Sequence, residues 1–432
     1  MYPNLYYMLK AVFGAAPEFT KIFNSFGMLL ALSFLCAAYT LYREFYRKQQ
    51  AGVFTPVTQN YTVGLPVNYG EVAIQFVIGF LLGYKIIGGI VSGQMASDAQ
   101  SYIASLQGSW GFGIATGIAL AGLKYYEARK QQLPKPEVRT RNIWPKDAVP
   151  DITIIAAIFG LLGAKIFHFL ENWSSFIQDP WGFITALGGL TFYGGLIVAA
   201  VAIFWYANTK RIHWRHMVDA VAPGLMLAYA VGRLGCQVSG DGDWGIYNSA
   251  YISTPTGQVV RASDSNNIFT LQKNDQAAAQ HFARDMQQFG HIPNTSYVAP
   301  SFVPIWLVAM NYTHNVNEEG VPVQGCTDKY CTMLPVPVFP TPIYEFVICT
   351  LLFATLWALR KKVTTPGVLF GIYLIMNGAE RFVIEKIRVN TQYHFWGLHP
   401  SQAEIISTCL ALIGIGVILY CKKITYKPLT TK

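Results

Sequence analysis

The chain has 432 residues, of which 52% are hydrophobic and only 13% charged, with a formal net charge of +9. Soluble domains carry roughly 25% charge. This composition therefore excludes a disordered chain, a coiled coil and an ordinary soluble enzyme, and it fits an all-α polytopic membrane protein. An excess of Lys and Arg is a common nucleic-acid footprint. Here most of the basic residues fall in short patches between apolar runs, which fits loops facing anionic lipid and argues against a nucleic-acid partner.

Runs of about 20 apolar residues can cross a hydrocarbon core. Nine are predicted, at 22–42, 72–92, 109–127, 152–170, 188–207, 217–237, 342–360, 366–384 and 402–421. Basic patches follow alternate spans: Arg43, Arg47 and Lys48; Arg129 to Lys146; Lys210, Arg211 and Arg215; Arg360, Lys361 and Lys362; and Lys422 to Lys432. Positive charge marks the cytoplasmic side, so the N-terminus is expected outside and the C-terminus inside. Residues 1–21 lack a basic n-region ahead of a short apolar core, and a basic stop follows the first span, so no cleavable signal is expected.

Five segments are expected. Residues 1–128 hold the first spans with an extra helical hairpin, and 129–150, rich in Pro and basic residues, form a cytoplasmic linker. Residues 151–237 and 342–432 make up the two parts of the core. Residues 238–341 are too long for a plain connection and form a small extracytoplasmic cap. Within the cap, 273–289 has a helical pattern, and Ser301–Val308 (SFVPIWLV) reads as a strand or as a segment lying at the membrane interface. Cys326 and Cys331 lie on the outer side, where disulfides persist, and too few further ligands lie nearby for zinc. The other five cysteines lie in or beside spans and act as small apolar residues. FLLGYKI (80–86) echoes GLLGAKI (160–166), a weak repeat for which chance similarity is favoured over a true one, since small residues are common at helix contacts.

Ionisable residues inside spans cost ~2.5–3.5 kcal/mol on insertion scales and are functional candidates by default. Arg233, Glu345, Glu380, Arg381, Glu385 and Arg388 cluster at outer span ends, and Lys165 lies in the fourth span. For Lys165 and Arg388 a snorkelling role weighs as much as a functional one. Arg381 and Glu385 are spaced i, i+4, which also allows a mere intrahelical pair. Two arginines from separate spans meeting at the outer leaflet point to phosphate, which guanidinium binds bidentately, and a lipid headgroup is the phosphate at that depth. Gly-Gly-Leu-Thr-Phe-Tyr-Gly-Gly-Leu at 188–196 reads as close helix packing, or as a thinned wall that lets a ligand approach Tyr193.

At these residues the chain resembles the prolipoprotein diacylglyceryl transferase family. The resemblance runs in order through SFGMLLALSFL (25–35), GLLGAKIFHFLENW (160–173), GGLTFYGGLI (188–197), DAVAPGLMLAYAVGRLGCQVSGDGDWG (219–245), PTPIYE (340–345) and NGAERFVIEKIR (377–388). It implies transfer of diacylglyceryl from phosphatidylglycerol to the lipobox cysteine of a prolipoprotein at the bacterial cytoplasmic (inner) membrane. No metal or nucleotide is needed for that reaction. It implies catalytic roles for Arg233, Arg381, Tyr193 and Glu385, and substrate binding by Arg233, Asp241, Gly245, Tyr344, Glu345 and Asn377. Tyr193 stands where the family has histidine, Cys236 where it has asparagine, Phe26 and Asn377 where it has tyrosines, and Lys165 where it has arginine. The acidic turn is one residue longer, so Asp241 or Asp243 takes the place of a glutamate. HPSQ at 399–402 looks like a family motif out of place. Those departures, with the extra spans and cap, also fit a paralogue that binds lipid as a membrane scaffold without transferring it. A transporter would carry its ionisable groups near the midplane instead.

Overall fold

The computed structural model describes residues 1–97, 102–103, 105–185, 189–263, 267–390 and 400–424. Helices dominate, and a long helix lies at each of the nine places predicted to span. Among the described residues, seven are long and apolar enough to cross a membrane: Ser25–Gln50, Tyr69–Val91, Pro145–Glu171, Phe192–Thr209, Trp214–Ser239, Thr341–Leu359 and Gln402–Lys423. The other two places hold the helices Trp110–Gln131 and Val368–Glu385, both interrupted by charge. The first ends in a run containing Lys124, Tyr125, Tyr126 and Glu127, and the second carries Glu380, Arg381 and Glu385.

The chain forms two compact units: residues 1–8, 23–41 and 215–432 in one, and residues 9–22 and 42–214 in the other. The first unit is built around Trp214–Ser239. Just over half of its apolar window (56%) is buried, against about a fifth for the other spans, so it is the central helix. Its Tyr229, Met226 and Ala230 pack with Cys349 and Leu356 of Thr341–Leu359 and with Leu369 and Tyr373 of Val368–Glu385. Asp219 fixes the start of that last helix by accepting from the Gly367 and Phe370 amides at 2.7 and 2.9 Å, where a carboxylate answers both the free N–H groups and the helix dipole. Ser401 and Glu404 form a reciprocal capping box at the head of Gln402–Lys423. That explains the Pro-Ser-Gln of the misplaced motif as a helix start; His399 lies outside the described residues.

The segment expected to be a cap has its own core, with Trp244, Tyr247, Phe282, Tyr312, Met333 and Leu334 all buried. The expected helix is there as Gln276–Phe289. It begins at Asp275, which accepts from the Ala277 and Ala278 amides, and stops at Gly290 with a left-handed backbone. Short two-stranded ladders complete the cap, such as Tyr251–Ser253 with Val259–Arg261. Ser301–Val308 is not a strand: Ile305–Leu307 is a 3-10 turn following Pro304, and proline at 300 and 304 denies the ladder two donors. Cys326 and Cys331 form a disulfide.

In the second unit, Val149–Glu171 packs against Phe192–Thr209. A Cβ at Gly194 would lie 2.6 Å from the Gly163 carbonyl oxygen, and one at Gly195 would lie 2.7 Å from that of Gly160. Gly194 and Gly195, just after Tyr193, thus allow close backbone approach. Gly83, inside the echo of Gly163, packs against Thr116 and Phe112 in the same way. Inside the stretch read as a linker, Glu137–Ile143 forms an antiparallel ladder with Val57–Val63. The β-branched residues of both strands favour it, although proline and charge mask the pattern.

Candidate functional site

The site grows from the end of the central helix. Past Ser239 the chain turns on Gly240 and Gly242, both with positive φ (67° and 93°), which brings Asp243 back beside Arg233. Gly245 then passes between two backbones. Its amide donates to Phe339 O at 2.8 Å, and it bridges Arg388. A Cβ there would sit 2.6 Å from the Ile387 oxygen and 3.0 Å from the Phe339 oxygen, so glycine is required. Ile246 N donates to Ile387 O (2.9 Å), and Thr341 Oγ1 donates to Asp243 O (2.9 Å). These bonds zip together three segments, 243–246, 339–341 and 387–388. They gather charge from the central helix, the turn, the first turns of Thr341–Leu359 and the end of Val368–Glu385.

At the centre are two guanidiniums and two carboxylates. Arg233 donates to Asp243 and, through Nε, to Glu345. Arg388 donates to the other oxygen of Asp243 and to Glu345 Oε1 at 3.2 Å. Glu345 is fully buried and also accepts from Tyr229 Oη at 2.7 Å. The Arg233 guanidinium lies 5.1 Å from the Tyr229 ring centroid, a cation–π contact. Equal numbers of each charge let the cluster be buried, since an unpaired ion there would cost several kcal/mol. Burial pushes the Asp243 carboxyl up, but Arg233 and Arg388 outweigh it and hold it down at about 2. Asp241 differs. Burial, followed by the charge of Asp243, raises its affinity for a proton, and its buried Oδ1 has no hydrogen-bond partner among the described residues.

The sequence paired Arg233 with Arg381, whereas the structure pairs it with Arg388. Arg381 instead forms the intrahelical alternative, an ion pair with Glu385 at 3.0 Å. Glu385 is buried and further engaged by Ser401 Oγ and by Asn390 Nδ2 (2.6 Å), so it ties the helix end to the following segment. Of the two acidic candidates in the long turn, Asp243, not Asp241, makes the arginine pairs. Tyr344 donates its hydroxyl to Leu307 O in the cap. Asn377 is half-buried, with no side-chain hydrogen bond among the described residues. Tyr193 belongs to the second unit. There it sits in the first turn of Phe192–Thr209, 43% exposed, edge-on to Phe192. Sequence reasoning overlooked Tyr229, although it lies one turn before Arg233 on the same face, a spacing that could have found it. Glu380 is also buried, and neither carboxyl oxygen has a partner among the described residues.

Cys236, Asp241 and Asp243 bring three donor atoms within 4.8 Å of one another. The donor set suits a cation poorly, because Asp243 is already neutralised by two arginines whose charge would repel the ion.

Helices long and apolar enough to cross a membrane, with two guanidiniums sharing two carboxylates where those helices end, define a membrane protein with a charged cluster at its span ends. The family model for prolipoprotein diacylglyceryl transferase matches residues 103–420. Relatives bearing the name phosphatidylglycerol–prolipoprotein diacylglyceryl transferase include one from Corynebacterium diphtheriae, 25% identical over 64% of this chain and 78% of its own length. Another, from Chlorobaculum tepidum, is 24% identical over 69% of this chain and 81% of its own. One from Streptococcus uberis is 28% identical over 65% and 81%. The chain belongs to the prolipoprotein diacylglyceryl transferase family.

Proposed function

We propose that this protein transfers diacylglyceryl from phosphatidylglycerol to the cysteine thiol of a prolipoprotein, releasing glycerol phosphate. The observation that carries the reading is the half-buried pair Arg233 and Arg388, meeting over shared carboxylates in a member of this family. The cysteine sulfur attacks the glycerol carbon that bears the phosphate. A C–S bond forms, the C–O bond breaks, and its electron pair leaves on the phosphate oxygen. Charge grows on that oxygen in the transition state, and planar guanidiniums can hold it through paired N–H donors. The thiol proton needs an acceptor. Tyrosine, with a pKa near 10, is a poor base at neutral pH. Glu385 is occupied by Arg381, Ser401 and Asn390 and acts by positioning. Asp241, with its raised proton affinity and unpartnered oxygen, suits the acceptor role better.

With this function go nine spans, the N-terminus and cap outside and the C-terminus inside, in a bacterial cytoplasmic membrane. Residues 1–128, 151–237 and 342–432 form the membrane part around the 129–150 segment and the 238–341 cap, and the second substrate is a prolipoprotein signal peptide. The test is diacylglyceryl incorporation into lipobox peptides in vesicles containing phosphatidylglycerol. The unmodified protein should catalyse it. Arg233→Lys should not, because a point charge lacks the two-pronged geometry. Full activity in Arg233→Lys would refute phosphate clamping. No incorporation by the unmodified protein with several peptides would favour the lipid-binding scaffold.

A further inference from the structure

Between positions 292 and 317 the chain has no Asp, Glu, Lys or Arg, although it belongs to the polar cap. The middle of this stretch has two faces. Ala299, Val303, Leu307 and Val308 pack inward against Ala250 and Tyr251. Phe302, Ile305 and Trp306 point away, 85%, 44% and 51% exposed. The loop is not free to fold them in. Asn248 Nδ2 donates to Tyr297 O (2.8 Å) and Val308 O (3.1 Å), and Tyr251 Oη accepts from the Ala299 amide at 2.9 Å. Pro300 and Pro304 stiffen the span between these clamps. A loop held rigidly with its largest apolar residues outward needs something to cover them.

Its depth is fixed by the same bonds. Tyr344, in the first turn of the Thr341–Leu359 span, donates its hydroxyl to Leu307 O, and the Phe339 ring just before that span lies 6.5 Å from the Tyr297 ring. The loop therefore lies level with the end of a membrane span. That is the headgroup layer, where Trp and other aromatic side chains are favoured and an uncharged backbone with polar turns is tolerated. We propose that Phe302, Ile305 and Trp306 form an interfacial anchor that inserts into the headgroup and upper acyl layer, seating the cap on the membrane beside the Thr341–Leu359 span. The anchor rests on the membrane reading of that span and not on the transfer reaction, so failure of one leaves the other standing.

The test uses the full chain in lipid nanodiscs, with an environment-sensitive fluorescent amino acid in place of Phe302 (Phe302→dansylalanine). A second protein carries it at Trp306, and a comparison protein at exposed Gln287 on the cap helix. Both outward positions tolerate a bulky replacement, and Trp306 keeps the test open should the first variant fold poorly. Shallow nitroxide-labelled lipid should quench the probes at 302 and 306 several-fold more than the probe at 287, and aqueous iodide should do the reverse. Equal iodide quenching at all three positions would overturn the proposal. Shielding that develops only when a lipobox peptide is added would also overturn it, and would make the loop a peptide-docking surface.

Discussion

Replacing Glu345 by glutamine tests the logic of the buried cluster most directly. The side chain keeps its shape, and one negative charge disappears from a fully buried position that accepts from Arg233, Arg388 and Tyr229. Asp243 alone then faces two guanidiniums, and the cluster goes from neutral to one net positive charge. Removing one partner of a buried ion pair costs about 3–5 kcal/mol, because the remaining charge is left uncompensated. Tyr229→Phe removes a single hydrogen bond to the same carboxylate and should cost about 1.5–3 kcal/mol. The double variant should cost less than the sum, since Tyr229 has no charged acceptor left once Glu345 is gone. Equilibrium unfolding of the purified protein in mixed micelles measures all three. Adding phosphatidylglycerol should stabilise Glu345→Gln more than the unmodified protein, because the phosphate supplies the missing charge. A Glu345→Gln variant within about 0.5 kcal/mol of the original would refute the reasoning. So would strict additivity with Tyr229→Phe.

Three further outcomes are expected. Tyr193→Phe should lower transfer roughly ten- to a hundredfold if the hydroxyl donates to the lipid phosphate, and should be nearly silent if the ring only fills space, with Tyr193→His raising activity near neutral pH in the first case. In the cap, His281 is buried beside Tyr247 Oη (2.8 Å), and burial together with Arg284 lowers its pKa to about 4. The unfolded state then binds more protons between pH 6.5 and 4, so cap stability should be full above pH 6.5, fall by up to about 3 kcal/mol as pH drops to 4, and level off below. Hydrogen exchange in Gln276–Phe289 would show this, and a His281→Gln variant with the same pH dependence would rule it out. Cys326 and Cys331 should react with a membrane-impermeant thiol reagent only after reduction; immediate labelling would mean that the disulfide is not formed in the membrane.

The helices were legible because about 20 apolar residues in a row leave the backbone few alternatives. Arg233 and Glu345 were legible because a charge at a span end stands out against apolar neighbours. The partner of Arg233 was not. Arg381 and Arg388 lie seven residues apart near one helix end, and period alone offers both to the same face. The choice falls to Arg388 because the bonds of Gly245 and Ile246 with the 387–388 backbone deliver it to Asp243, and such long-range backbone pairing leaves no local pattern. The choice between Asp241 and Asp243 depended in the same way on the backbone angles of Gly240 and Gly242. The strand inside 129–150 was not legible because prolines and charges outweigh seven residues of strand pattern.

Asp243 sits on a glycine-hinged turn with its side chain about a third exposed, yet it bonds both central arginines. On the proposed reading, an incoming phosphate would exchange with a resident counter-ion and would not enter an empty cationic hole. The arginines stay neutralised at every stage, which keeps them tolerable inside a low-dielectric wall while the site is idle. On the proposed reading, affinity for lipid would reflect the difference between phosphate and carboxylate as partners of the same arginines. An exchange of that kind would suit a protein surrounded by lipid at high local concentration, because the returning carboxylate would evict the spent phosphate.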